Sequence, residues 1–357
     1  MAECHGIISV PVMLFFQKGV IKMPNQLSNE QTLNVGECEG PQNSRITNYA
    51  IVQSHSGERL KNLRGKRVGL AACSNALTEE DREEIRRLDE ALRSLNIDPV
   101  WSPCMFREKR GEAAPPKERA KCLMDFYRDE EIAAIFDLSG GDLANEILEE
   151  LDMDCIAASG KSFWGYSDLS TVLNALWTKA GSPGVLYQIR NLVREDGKEQ
   201  HRRFSAWLDG SSEELFSPSW HFLRGEEMAG ALVGGNIRCF LKLAGTPWFP
   251  ELKDRILFLE SLGGSLATLH TCLAQLRQMG AFERINGLLI GSFTKAEQIS
   301  GRAAVEETVL ACTGNPLLPV ASTGQVGHGA DSRALPIGGY LQICRDGKRP
   351  FTKRAGN

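Results

Sequence analysis

Strand-length apolar runs alternating with amphipathic helical stretches predict an α/β protein in two domains, the first built on a parallel, Rossmann-like sheet covered on both faces. Three observations carry this. Strand and helix patterns follow one another without a break from about residue 65 to residue 180. The apolar run at 132–138 is closed by the pair Gly140-Gly141. A chain of 357 residues also exceeds the usual size of one domain. The expected division is a poorly packed extension (1–60), a first domain (61–190), a linker with an exposed insertion (191–230) and a smaller second α/β domain (231–350).

The extension is set apart by composition. Residues 6–16 are apolar but too few to span a bilayer, and Met1-Ala2-Glu3-Cys4-His5 lacks the positive charge of a signal peptide. From 24 to 57 the chain is rich in Asn, Gln, Ser and Gly without a period, and Met23 would serve equally well as a start.

In the first domain, residues 67–72 read as a strand. Thr78 then caps a helix whose first turn carries Glu79, Glu80 and Asp81, acids that complement the positive end of a helix dipole. Ile85, Leu88, Leu92 and Leu95 recur at helical spacing and mark its buried side. A short strand at 99–101 and a helix at 116–127 follow. The strand at 132–138 leads through Gly140-Gly141 into a helix marked by Leu143, Ile147, Leu148 and Leu151. Lys161-Ser162-Phe163-Trp164-Gly165-Tyr166-Ser167-Asp168 opens the next helix, which runs on to 180 with Leu169, Leu173, Leu176 and Trp177 on one stripe. Trp164 and Tyr166 suit a core or a cavity wall.

Between 190 and 230 the pattern breaks into charged and Ser/Gly-rich sequence, the expected insertion. The second domain then shows a tight turn at Gly234-Gly235-Asn236, a strand at 256–259 ending on Glu260, a helix at 266–279, a strand at 285–290 and a helix at 303–312. The short run 317–321 delivers His328 on a glycine-flanked loop. The other histidines (5, 55, 201, 221 and 270) lack such a setting.

Composition excludes several functions. The formal net charge of -4 shows no basic excess, which argues against nucleic acid as a partner. No spacing of His and Glu supports a metal site, and no Gly-rich loop with Lys and Ser/Thr is present to cradle a phosphate, so neither metal nor cofactor is expected. Ten scattered cysteines without a Cys-x-x-Cys pair read as reduced residues of a cytoplasmic protein.

The strand, glycine turn and helix around residue 140 can present a nucleophile at an exposed tip while nearby backbone N-H groups hold a developing oxyanion. Taken alone it is also an ordinary connection. Further pieces follow in order: the Lys161 to Asp168 segment, Leu232-Val233-Gly234-Gly235-Asn236, Arg255-Ile256-Leu257-Phe258-Leu259-Glu260, and Gly327-His328-Gly329 with Leu335-Pro336-Ile337-Gly338. From about residue 65 to 345 this ordered set resembles the L,D-carboxypeptidase family of serine peptidases. The resemblance implies a glutamine amidotransferase-like first domain, a homodimer, no cofactor, and a short peptide or muropeptide as the ligand. It also implies a Ser, Glu, His triad, whose last two members correspond to Glu260 and His328. The serine position is occupied by Ala144, with Gly141, Asp142 and Asn145 around it as oxyanion or substrate contacts.

An imidazole must take the proton of a serine hydroxyl as it attacks, and a carboxylate orients the imidazole. Alanine has no proton to give and no lone pair to attack with. Losing a triad nucleophile costs on the order of a millionfold in turnover while leaving binding groups in place. Ser139 lies on the strand side of the glycine pair, and Ser167 belongs to the Tyr166-Ser167-Asp168 turn; neither is expected to substitute. Two functions remain open: a hydrolase whose tip residue is engineered away or replaced, and a binder that holds a peptide without cutting it.

Overall fold

The computed structural model describes residues 49–53, 63–106 and 113–345. The reading of 1–60 as a poorly packed extension falls almost entirely outside the described residues. Strand β1 (Tyr49–Gln53) comes first. Then β2 (Lys66–Ala71), α1 (Arg82–Ser94), β3 (Ile97–Trp101), α2 (Pro116–Arg128), β4 (Ile132–Asp137), α3 (Met153–Ser159), β5 (Ser162–Gly165), α4 (Ser170–Ala180) and β6 (Gly184–Leu186) alternate. There follow α5 (Gly197–Leu208), β7 (His221–Arg224), β8 (Glu227–Asn236), α6 (Ile237–Leu241), β9 (Arg255–Ser261), α7 (Leu266–Gln278), α8 (Ala281–Arg284) and β10 (Gly287–Phe293). The chain closes with α9 (Thr294–Ser300), α10 (Arg302–Thr313), β11 (Val320–Ser322), β12 (Leu335–Ile337) and β13 (Tyr340–Cys344).

These strands form two sheets. The first has the order β12-β6-β5-β4-β2-β3, parallel except for β12, which runs antiparallel to β6. In the second, β1-β13-β8-β9-β10-β11-β7, the run from β8 to β11 is parallel and is flanked by antiparallel β13 and β7. Parallel strands covered on both faces must be apolar throughout, and Ile256, Leu257, Phe258 and Leu259 of β9 are all fully buried. The predicted two-part α/β class is therefore the observed one. It is laced together, however, because β1 pairs with β13 and β12 returns to the first sheet.

Several local expectations are corrected. Thr78 and Asp81 form a capping box over a 3-10 turn (Glu79–Asp81), and the α-helix proper starts at Arg82. Residues 162–165 are strand β5, not a helix start. Ala144–Glu150 is a 3-10 segment that stops at Leu151, where Asp152 accepts a bond from the Cys155 N-H and caps the separate helix α3. Gly234 and Gly235 lie inside β8, not in a turn. At Gly235 (φ 136°) a Cβ would collide with the Ser170 hydroxyl, which accepts the Asn236 N-H at 2.9 Å.

The stretch 191–230 differs most from its reading as linker and exposed insertion. Within it, α5 buries Phe204 and Trp207, and a short turn buries Phe216. Their rings, with Phe136 and Tyr187, surround Trp164 at 5.3–6.3 Å, mostly edge to face. Each such pair contributes about 0.5–1.5 kcal/mol beyond area burial. Lys198 and Arg202 are exposed on its other side, whereas Arg203 is buried. Not all cysteines are reduced either: Cys104 after β3 and Cys122 on α2 are brought within 6.7 Å between Cα atoms and form a disulfide. Among the described residues, no helix is long and apolar enough to cross a membrane.

Candidate active site

At the carboxyl end of β4 the chain turns through Gly140 and Gly141 (φ 123°), where a Cβ would overlap the Asn75 side chain. Asn75 is there because its Oδ1 accepts the Asp142 N-H at 3.0 Å. The next two amides are likewise bound by side chains: Leu143 N-H donates to Ser74 Oγ at 3.3 Å, and Ala144 N-H to Asp168 Oδ2 at 2.8 Å. Ser74 Oγ in turn donates to Asp168 Oδ2 at 2.7 Å, and Lys242 Nζ meets Asp168 Oδ1 at 2.6 Å. Asp168 is fully buried, so Lys242 and the two hydrogen bonds from Ser74 and Ala144 compensate a charge that would otherwise be costly there. Arg119, also buried, donates to the Leu143 and Cys73 carbonyls and clasps the turn from α2.

Ala144 is consequently not an exposed tip. Its methyl group is fully buried beside Ile147 and Leu148. Of the expected oxyanion contacts, the Asp142 N-H is already engaged by Asn75, and Asn145 is exposed on the outside of the turn. Ser139 is ruled out as a replacement nucleophile by its place, since its buried hydroxyl donates to Asp137 Oδ1 at 2.6 Å and accepts the Ser74 N-H.

Glu260 sits near the carboxyl end of β9, level with Asn236 on β8, and is fully buried. Its Oε2 meets His328 Nδ1 at 2.7 Å and accepts the Tyr166 hydroxyl at 3.1 Å; its Oε1 accepts Asn236 Nδ2 at 3.1 Å. With the carboxylate ionised, Nδ1 carries the imidazole proton and Nε2 is left as the lone-pair nitrogen. Nε2 is buried and has no hydrogen-bond partner. The Tyr166 ring stands edge-on to the imidazole, with 4.9 Å between centroids, and fixes its plane. Burial, reinforced by the neighbouring Glu260 charge, pushes the Tyr166 phenol well above the usual tyrosine range.

One turn joins the two constellations. Tyr166 reaches Glu260 while Asp168, two residues on, holds the amide of Ala144. Between them Ser167 has a left-handed backbone (φ 56°), unusual for a residue with a side chain, and it lines a cavity of about 340 Å³. Gly141, Asp142, Asn236, Arg238 and Ser261 also line it, at the carboxyl ends of the parallel strands β8 and β9, where such sheets bind ligands. Ala144, Glu260 and His328 do not line this cavity, although Ser261, next to Glu260, and Asp142, two residues before Ala144, do. The Arg238 guanidinium pairs with Asp142 and holds that carboxyl below its usual range. Both groups are more than half exposed, so the pair is open to exchange with a charged ligand. No group of three or more His, Cys, Asp or Glu side chains among the described residues is placed to hold a metal ion.

Sequence reasoning named Glu260, His328, Gly141 and Asp142 but missed Ser74, Asn75, Lys242 and the bonding role of Asp168. Ser74 and Asn75 follow the carboxyl end of β2, a place that the parallel-sheet rule marks in advance. Lys242 gave no signal.

A buried carboxylate-imidazole pair lies near the carboxyl end of the second sheet and a glycine turn at that of the first, linked through Tyr166 and Asp168. The chain belongs to the LD-carboxypeptidase family: the profile of that family's N-terminal domain matches residues 68–188, and that of its C-terminal domain residues 229–343. It is similar to a putative carboxypeptidase of Treponema pallidum, 26% identical over 79% of this chain and 90% of the relative. The microcin C7 self-immunity protein MccF of Escherichia coli is 25% identical over 84% of this chain and 96% of its own. A probable murein peptide carboxypeptidase of Bacillus subtilis is 26% identical over 71% of this chain and 82% of the relative. Among solved structures, MccF in complex with glutamyl sulfamoyl guanosine has the same fold, with a TM-score of 0.69 at 20% identity over 78% of this chain and 96% of that one. A muramoyltetrapeptide carboxypeptidase from Oxalobacter formigenes superposes with a TM-score of 0.61 at 20% identity over 78% and 98% of the two chains.

Proposed function

We propose that this chain binds the end of a short peptide or muropeptide in the cleft beside Arg238 and, as written, does not cut it. The observation that carries the reading is the asymmetry of the site. Glu260 and His328 form the proton-accepting half of a triad, with Nε2 unpartnered, whereas Ala144 offers a buried methyl group at the nucleophile position. Such a pair can accept a proton at Nε2 but has no hydroxyl to take it from, so the acylation step lacks its first atom. A ligand carboxylate can replace Asp142 on the half-exposed Arg238. Relatives described as a murein peptide carboxypeptidase, and an MccF structure holding an aminoacyl sulfamoyl nucleoside, support the ligand class.

Calorimetry tests the reading. The unmodified chain should give heat with an uncleaved L,D-linked tetrapeptide and release no amino acid, and Ala144→Ser should gain cleavage of the C-terminal D-residue. Absence of binding across a panel of muropeptides would overturn it, as would turnover by the unmodified chain.

Ser167 favours a second reading, in which its strained, cavity-lining hydroxyl acts as a displaced nucleophile. Turnover that disappears in Ser167→Ala would establish it.

A further inference from the structure

Helix α5 lies in the stretch whose sequence looks like an exposed insertion, yet Gln200 at its centre is completely buried. Its side chain is fully used. Nε2 donates to the Ala330 carbonyl at 2.6 Å and to the Ser332 carbonyl at 3.0 Å, and Oε1 accepts the Tyr187 hydroxyl at 3.0 Å. Those carbonyls belong to the loop that carries His328, which closes on itself where Arg333 N-H meets the Gln325 carbonyl at 2.7 Å. One turn further along α5, Arg203 Nη1 reaches Asp331 Oδ1 at 2.7 Å, and Arg333 Nη1 reaches the same oxygen at 2.7 Å. Glu214 Oε1 lies between the two arginines, accepting from Arg203 Nε at 2.9 Å.

Two inward-facing carbonyls two residues apart need two N-H donors from one direction. Only a primary amide supplies both and still offers an oxygen to a third partner; a carboxylate of the same shape would set oxygen against oxygen. We infer that Gln200, oriented by Tyr187, is the positioning residue that holds the histidine loop in register with Glu260. The helix thus acts on the site through the backbone of the loop. This inference rests on the proposal that His328 and Glu260 form the proton-accepting half of a triad, and it explains how a glycine-flanked loop keeps an imidazole in place.

The test reads the imidazole itself by NMR. In Gln200→Glu, which preserves volume, the His328 Nδ1 proton held by Glu260 should exchange about tenfold faster or broaden away, and the amides of 329–333 should lose protection to a similar degree. Tyr187→Phe, which spares the loop carbonyls, should produce a smaller change of the same kind. A residue that merely fills the core would lower the melting temperature in Gln200→Glu and leave the Nδ1 proton unmoved, and that outcome overturns the inference. The unmodified protein gives an independent check, because the Gln200 side-chain amide protons should exchange slowly; fast exchange there overturns it too. Failure to bind muropeptides would refute the proposed function without altering any of these readings.

Discussion

Tyr166 and His328 converge on one oxygen, Oε2 of Glu260, at 3.1 and 2.7 Å. The tyrosine comes from the end of the first sheet and the carboxylate from the second, so this bond ties the two sheets together at the site. It also makes Tyr166 pH-sensitive in a defined direction. The buried phenol ionises at higher pH in the folded protein than in the unfolded chain. Its contribution is complete below the unfolded value near 10 and is lost as pH rises through the folded one. Tyr166→Phe should therefore lower stability at neutral pH by about 1 kcal/mol and flatten the alkaline decline above about pH 10. Denaturant titrations at neutral and alkaline pH would show both effects.

A fluorophosphonate probe distinguishes the candidate serines. The unmodified chain should not be labelled, Ala144→Ser should be labelled at residue 144, and the double variant Ala144→Ser with His328→Ala should lose most of that labelling. Mass spectrometry of the labelled peptide is the measurement. Adduct on Ser167 of the unmodified chain would instead favour the displaced nucleophile.

Acid stability should depend on Arg190. Its side chain is largely buried and meets Glu84 at 2.7 Å and Asp81 at 2.5 Å. For both acids burial opposes ionisation, but hydrogen bonds outweigh it: Thr78 N-H and Arg190 hold Asp81 below its ordinary value, and Arg190 does the same for Glu84. Folded values that are depressed give stability above the unfolded values near 4, lost as pH falls through the folded ones. Arg190→Met should cost about 1–3 kcal/mol at pH 7. The gap to the parent should narrow as pH drops below about 4. Thermal unfolding across pH 3 to 7 measures it.

Phe204→Ala should destabilise by about 3–5 kcal/mol, because it empties a position in the ring cluster around Trp164. A surface insertion would lose less than about 0.5 kcal/mol. Chemical denaturation decides between them.

Legibility in the sequence followed periodicity. The apolar runs of β4 and β9 and the stripes of α1 and α4 could be read because their whole faces are buried. Glu260 stood out as a charge ending such a run, and His328 as an imidazole between glycines. Helix α5 was hidden because Lys198, Glu199 and Arg202 dominate its composition, while Gln200, Phe204 and Trp207 bury its other side. Ser74 was marked only by its place after β2, and Lys242 could not be found, since its role exists only once Asp168 is buried against it. Nor could the engagement of the Asp142 and Ala144 amides, which depends on side chains 67 and 24 residues away in sequence.

The swapped outer strands have a consequence for how this molecule can be cut or move. A segment before the first sheet, β1, completes the second, and a segment near the end of the described chain, β12, completes the first. Severing the polypeptide between residues 190 and 229 would leave each fragment short of a strand held by the other, so neither piece should be an autonomous folding module. Rigid-body hinging of one half against the other would tear backbone ladders.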